Sequence, residues 1–256
     1  MRITVLGSGS RGNCTILESG GNAIMIDTGF SFKKTAQRMQ EAGIDSKKIK
    51  GVLITHEHSD HIKSLRTVTT RFKIPVYANV QTTEAIKEKH PAITDYSVFV
   101  TGDAFVIDNF VIEPFSLPHD AIDPVGFVIK ANGKKAVIAT DLGHAGTLVQ
   151  YHLKDADFIM LETNHDPDML QQSSRPWHVK QRIKGKFGHL SNEDALKTLE
   201  KVVAPNTKVV VFAHASGECN DYSLLQNLMI DFIASFNRNN LKGFVLRQEE
   251  WTSIQI

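Results

Sequence analysis

The stretch LITHEHSDHIKS, residues 53–64, places His56, His58, Asp60 and His61 within six residues, directly behind the apolar run GVLIT. Such a run reads as a buried strand, so the polar cluster stands where a strand ends and its loop begins. Side chains two apart in an extended segment point the same way, so His56, His58 and Asp60 converge, while His61 starts the next element at another angle. Imidazole and carboxylate suit zinc, manganese or iron, and one loop of this density can address two ions. The competing reading is a surface histidine cluster with no ion. A metal reading constrains the fold, because further ligands must then come from other strand ends.

Candidates stand where that requirement puts them. His119 follows PFSLP, Asp141 follows KKAVIAT and His214 follows KVVVFA. Each alone reads equally as a turn residue closing a strand; together with the cluster they point to one site. Early strands are RITVLG, CTILES and NAIMID, separated by the Gly-rich turns SGSRGN and SGG. A helix fits SFKKTAQRMQEAG, with Ser31 as N-cap and Gly43 as stop, and another begins near His61. FVIEPFSL, VGFVIKA and KKAVIAT are strands, the last two joined by an NGK hairpin turn. After Asp141 come a helical stretch, the strand ADFIMLE and a helix opened by a capping box at Ser191–Asp194. The strand KVVVFA, the helix YSLLQNLMIDFIASF and two short strands complete the chain. Sheets with helices outside them predict an α/β fold, a four-layer αββα sandwich.

Composition narrows the function classes. A chain of 256 residues, 41% hydrophobic and 22% charged, without internal repeat or Gly/Ser/Pro linker, reads as a single domain over residues 1–256. No apolar run approaches the roughly 20 residues of a membrane span. Met1 leads straight into a strand without a signal segment, so a soluble, cytoplasmic protein with no membrane partner is expected. Cys14 and Cys219 are too few for a thiolate metal site, which leaves nitrogen and oxygen ligands. Net charge is +1, so the molecule as a whole is no magnet for nucleic acid. The stretch from Met169 to Asn192, however, has no acid and contains Arg175, Lys180, Arg182, Lys184 and Lys186, with Trp177 and Phe187 interleaved. It reads either as a solvated helix face or as a track for a phosphate backbone with stacking side chains. Gly9, Ser10, Arg11 and Gly12 read either as a plain turn or as a nest of amides for a terminal phosphate. His144, His165 and His178 are candidates for the cleft, and His90 and His152 for the surface.

MIDTG, THEHSDH, LPHDA, ATDLG and FAHAS, in this order, resemble the five motifs of the metallo-β-lactamase fold. The resemblance implies a dinuclear site at the edge between two sheets, with two divalent ions. His56, His58 and His119 would hold the first, Asp60, His61 and His214 the second, and Asp141 would bridge them. Asp27 would stand behind the HxHxDH loop and fix its shape. MLETNHD and GHLSNEDALKTLEKVV further resemble the tRNase Z segments in which a Glu and a His relay a proton to the leaving oxygen, here Glu162 and His189. Asp60, Glu162 and His189 are thus the catalytic candidates.

Nucleases with a β-CASP insertion carry it between the bridging Asp and the last His, and the interval from Asp141 to His214 is too short for one. The tRNA-gripping arm of tRNase Z has no room between His119 and Asp141 either. VLGSGSRGN, LETNHD, RPWHVKQRI, GHLSN and AHAS resemble the YycJ/WalJ group of bacterial DNA exonucleases, while AHASGECND departs from the HLS form expected after the last motif. What this implies is a phosphodiesterase, a 5′ to 3′ exonuclease on DNA, with a metal-bound hydroxide as nucleophile. The alternatives are an RNA-processing phosphodiesterase or a thioester hydrolase of glyoxalase II type. Oligomeric state is left open.

Overall fold

The computed structural model describes all 256 residues. The first half runs β1 (Arg2–Gly7), β2 (Cys14–Ser19), β3 (Asn22–Ile26), α1 (Phe32–Glu41), β4 (Ile49–Leu53), α2 (Ser59–Ile62), α3 (Leu65–Phe72), β5 (Val76–Asn79), α4 (Val80–Lys89) and β6 (Tyr96–Phe99). The second runs β7 (Phe105–Ile107), β8 (Phe110–Ser116), β9 (Val125–Ala131), β10 (Lys134–Ala139), α5 (Thr147–Leu153), β11 (Phe158–Glu162), α6 (Pro167–Gln172), α7 (Trp177–Lys184), α8 (Asn192–Val202), β12 (Val209–Ala213), α9 (Tyr222–Ser235), β13 (Lys242–Val245) and β14 (Thr252–Gln255). Two seven-stranded sheets result, ordered β14-β1-β2-β3-β4-β5-β6 and β13-β12-β11-β10-β9-β8-β7.

Alternation along the strands builds the layers. Ile3, Val5, Ile24 and Ile26 of one sheet meet Phe127, Ile129, Phe158 and Met160 of the other in the central core. The intervening residues face outward: Ala23 and Met25 pack with Met39, Leu65 and Ile86 from α1, α3 and α4. Val128, Ile159 and Leu161 pack with Val149, Leu199 and Leu225 from α5, α8 and α9. The expected αββα sandwich is the fold. No helix is long and apolar enough to cross a membrane.

Local signals act as the sequence indicates at several ends. Ser31 caps α1 by accepting from Lys34 N, Gly43 follows with φ +67°, and Ser191 caps α8 by accepting from Asp194 N. The helix expected near His61 is two, α2 and α3, broken at Ser64. β5, α4, β6 and β7 have no counterpart in the sequence reading. The three strands are short, and β6 and β7 are the outer strands at one side of the sandwich, with exposed Val98 and Val106 breaking the apolar pattern. His152 corrects an expectation: it is buried, because it lies on the inward face of α5 beside Val149 and stacks on Phe115 at 4.4 Å. His90, at the end of α4, is half-buried.

Candidate metal centre and active site

The parallel strands deliver the site. β3 and β4 are parallel neighbours in one sheet, β10, β11 and β12 in the other, and their C-terminal ends lie at one edge of the sandwich. Asp27 follows β3, the HxHxDH loop follows β4, Asp141 follows β10, Glu162 ends β11 and His214 follows β12. Asp27, Asp141 and His214 all adopt left-handed backbone, with φ of +59°, +63° and +55°. That conformation is uncommon outside glycine, and Asp and His tolerate it better than bulky residues. It turns each chain sharply at the strand end, so the side chain points into the gap between the sheets. Gly29 keeps the HxHxDH loop close, since a Cβ there would meet the Asp60 carbonyl oxygen.

Asp27 organises the rings. Its Oδ1 accepts from Thr55 N at 3.0 Å; its Oδ2 accepts from Thr55 Oγ1 at 2.9 Å and from His61 Nδ1 at 2.8 Å. Because the Thr55 hydroxyl hydrogen goes to Asp27, His56 Nδ1, 3.0 Å from Thr55 Oγ1, is the donor in that contact. One carboxylate therefore sets the tautomer of a ring in each ligand group, directly for His61 and through Thr55 for His56. His119 Nδ1 likewise donates to Gly188 O at 3.1 Å. In each of these rings Nε2 is the nitrogen that faces the centre, unpartnered in His56 and within 3.1 Å of Asn13 Nδ2 in His61.

The donors fit metal ions. His56, His58 and His119 form one group whose ligand atoms lie within 4.8 Å of one another, and Asp60, His61 and His214 form a second. Asp141 belongs with both sides: Oδ2 is 3.3 Å from His61 Nε2, while Oδ1 is 3.4 Å from His214 Nε2 and 4.0 Å from His119 Nε2. His56 Nε2, Asp141 Oδ2 and His214 Nε2 are buried without a hydrogen-bond partner. Unpaired buried acceptors are costly, and three converging on one point are accounted for by cations.

Electrostatics agree. Burial and the neighbouring His61 push His56 well below the usual histidine range, and burial also lowers His119, which leaves neutral rings as ligation requires. Burial would also lower His61, yet Asp27 and Asp141 hold it well above that range. Burial opposes ionisation of Asp141, but His214 and His61 keep it well below the carboxylate range. The pocket thus calls for positive charge around Asp141, which a proton or a metal ion supplies.

Glu162 ties this centre to His189. Fully buried, it accepts at Oε1 from His214 Nδ1 at 2.7 Å and from His189 Nδ1 at 2.8 Å, and at Oε2 from the amides of Leu142 at 2.9 Å and Leu190 at 3.2 Å. Burial would raise its pKa, but the two histidines and their hydrogen bonds bring it down to about 2. The same contact outweighs burial at His189 and lifts that ring to about 9. His189 stays 25% exposed, and with Nδ1 committed to Glu162 its Nε2 is the nitrogen that can exchange a proton with a substrate. Glu162 thus holds two histidines, of which the sequence resemblance indicated one, His189.

Beside His189 lies a cleft of about 140 Å³ lined by Ser10, Asn164, Arg175, Arg182 and Ser216, among others. It divides the basic stretch. Arg175 and Arg182 face the cleft, Arg175 paired with Glu218 at 3.0 Å and Arg182 with Asp120. Lys180 and Lys184 turn toward α6 and donate to Gln171 O and Oε1 at 2.7 and 3.1 Å. Lys186 lies over the ring of Phe187, and both Phe187 and Trp177 are more than half exposed. His144 and His178 are exposed, while His165 is buried, its Nδ1 without a partner.

Of the two readings of Gly9, Ser10, Arg11 and Gly12, plain turn or anion nest, the structure shows the turn. Gly9 N donates to Asn13 Oδ1, Arg11 N to Gln248 Oε1 and Gly12 N to Gly9 O, so three of the four amides are taken internally. The Arg11 side chain pairs with Glu249. The loop instead braces the metal centre: Ser8 Oγ accepts from His214 N at 3.0 Å, and Asn13 Nδ2 lies 3.1 Å from His61 Nε2. Thr55, Asn13 and Asp120 had no role in the sequence reading. Each lay inside a stretch singled out there, Thr55 in THEHSDH, Asn13 in VLGSGSRGN and Asp120 in LPHDA.

Comparison with known proteins agrees with this geometry. Residues 7–214 match the metallo-beta-lactamase superfamily. The chain is 34% identical over 222 residues to the exodeoxyribonuclease YycJ of Bacillus anthracis, covering 86% of this chain and 84% of that protein. It is 32% identical over 237 residues to the exodeoxyribonuclease WalJ of Streptococcus pneumoniae, covering 91% and 88%. Among solved structures, the metallo-beta-lactamase fold protein YhfI of Bacillus subtilis superposes with a TM-score of 0.71 at 14% identity over 99% of both chains, a likeness of fold. With its ligand groups gathered at the sheet edge as above, the chain belongs to the metallo-beta-lactamase superfamily of metal-dependent hydrolases, in the family of YycJ and WalJ.

Proposed function

We propose that this protein is a dinuclear-metal exonuclease that hydrolyses phosphodiester bonds of DNA from the 5′ end. The observation that carries the chemistry is Glu162 Oε1, which accepts from His214 in the metal centre and from His189 at its open side. The relatives named exodeoxyribonuclease support DNA as the substrate. His56, His58 and His119 would hold one ion, Asp60, His61 and His214 the other, and Asp141 both. When bound, two divalent ions supply a water acidic enough to attack at neutral pH and neutralise the phosphate oxygens.

The side chains supply the rest. Asp27 and Thr55 hold the ligand rings in one tautomer, so the centre is preorganised. His189, protonated and held by Glu162, gives its Nε2 proton to the departing sugar oxygen. Arg175 and Arg182 border the path of the chain on that side.

The metal-loaded protein should release mononucleotides from 5′-labelled DNA, degrade RNA more slowly and leave a glutathione thioester intact. Cleavage of the thioester in place of nucleic acid would reject this reading, and preference for RNA would redirect it. His189→Ala should lower turnover on DNA by roughly 10² to 10⁴ with metal content unchanged, as expected for loss of a general acid. A nitrophenyl phosphodiester, whose leaving group needs little protonation, should suffer much less. Equal losses on both substrates would make His189 a structural residue.

A further inference from the structure

Four cations of α7 and the turn before it are spent within the chain, Arg175 and Arg182 on acids and Lys180 and Lys184 on Gln171. Those that follow the HxHxDH loop are not. From His61 to Thr83 the sequence has no acid and carries Lys63, Arg66, Arg71 and Lys73. All four are exposed, and none enters an ion pair or a side-chain hydrogen bond within the chain. α3 turns Leu65 and Val68 to the core, which leaves its outer face to Arg66, Thr67, Thr70 and Arg71, with Lys73 at its C-terminal cap. The Thr70 hydroxyl bonds back to Arg66 O at 2.8 Å, while that of Thr67 has no partner. Like charges gathered on one face repel one another, and a polyanion laid across them relieves the repulsion.

This face is held in fixed relation to the metal centre. α2 begins inside the HxHxDH loop, and Lys63 stands two residues past His61. At the break before α3, Ser64 donates to Thr28 O through N at 3.0 Å and Oγ at 3.1 Å, and Thr28 N donates to His61 O at 2.7 Å. From the end of α4, Lys89 Nζ donates to Glu57 O in the same loop at 3.1 Å. Burial and then the charges of Lys89 and Arg66 lower the His90 ring, so the positive face runs on from α3 to the end of α4.

Position gives the charge a partner, resting on the exonuclease reading. His189 and Glu162 belong to the half built on β11 and β12, and the leaving oxygen, the 3′ oxygen of the terminal nucleotide, departs there. The scissile phosphate stays with the remaining strand, which continues away from His189, toward the half built on β4 with α3 in its outer layer. α3 is roughly 12 Å long, so it can meet successive phosphates rather than one. We infer that the outer face of α3 is the track for the phosphate backbone of the retained DNA strand, with Arg66, Arg71 and Lys73 as its contacts and Lys63 at the end next to the metals. Contacts to phosphates carry no base information, so the strand can advance by one nucleotide after each cleavage without losing its hold.

The test measures kcat and KM of the metal-loaded protein on a long single DNA strand and on a dinucleotide, whose one retained nucleotide does not extend along α3. Arg66→Gln, Arg71→Gln and Lys73→Gln together should raise KM on the strand by about tenfold or more at unchanged kcat. The fall of log kcat/KM with log salt should flatten by up to about 2, near 0.7 for each lost contact to a single strand. The dinucleotide should be turned over as before. Arg66→Lys with Arg71→Lys should keep most of the affinity, since the track reads charge. Lys47→Gln, Lys48→Gln and Lys50→Gln, which remove the same charge at the other end of β4, should leave both substrates unaffected, with thermal melting confirming that all variants are folded. A wild-type KM and salt slope in the α3 variant, equal losses on strand and dinucleotide, or an equal loss in the β4 control would overturn the track while leaving the exonuclease intact. Failure of the wild-type protein to degrade the strand would reject the exonuclease and the track together.

Discussion

An Asp141→Ala protein is expected to lose hydrolysis by about 10³-fold or more, the equivalent of several kcal/mol of transition-state charge stabilisation. Asp141 is the one carboxylate whose two oxygens reach toward both ligand groups, so in the proposed dinuclear centre its removal would disconnect the two ions. Its φ of +63° adds a second consequence. Alanine resists left-handed backbone more than Asp does, so Asp141→Ala should also melt earlier, by about 1 kcal/mol of stability. Asp141→Asn tolerates the backbone and keeps the shape while removing the charge. It should melt closer to wild type and still be inactive. Metal analysis beside the activity assay decides the matter: two ions and normal turnover in either variant would refute the bridging role.

Glu162→Gln should be more damaging than loss of His189, although Glu162 faces no substrate. Its carboxylate accepts four hydrogen bonds, two from imidazoles and two from backbone amides. An amide side chain can accept on one end only. If its oxygen serves His214 and His189, its NH₂ meets the amides of Leu142 and Leu190; reversed, it meets the two rings. Either orientation leaves buried donors unpaired at about 1–3 kcal/mol of stability. Turnover should fall on DNA and also on a nitrophenyl phosphodiester, because His214 is misaligned as well. That second loss separates Glu162 from His189, whose replacement should largely spare the activated ester. A Glu162→Gln protein with the same pattern of losses as His189→Ala would limit Glu162 to the relay.

The gathering of these histidines and aspartates at one edge was legible because each stands directly behind an apolar run. His56, His58, Asp60 and His61 follow an apolar run, and the strand end that holds them is the same signal that marks Asp141 and His214. The layers were legible because β1, β3, β9 and β11 alternate cleanly between the central core and the outer ones. Short outer strands such as β7, three residues with Val106 exposed, carry no comparable pattern. His152 was misplaced because one polar residue on the inward face of a helix looks like any surface histidine until Phe115 is seen beneath it.

Other features lay in relations between distant residues. Nothing in GSGSRGN shows that Gln248 and Asn13 will consume its amides, so nest and turn read alike there. The double duty of Glu162 requires His189 and His214 to arrive at the same oxygen from different elements. The division of the basic stretch follows from helical phase in α7, where Arg182 shares a face with Val179 and Ile183, and Lys180 and Lys184 look to α6.

In the proposed mechanism, two metal ions held by this histidine and aspartate set perform the hydrolysis of DNA. Titration of the chelated protein with zinc or manganese, read by mononucleotide release from 5′-labelled DNA, addresses it most directly. Release should be negligible from the metal-free chain, little at the first equivalent, and rise to full activity as the second equivalent binds. Full activity at one equivalent, or in the chelated protein, would contradict it.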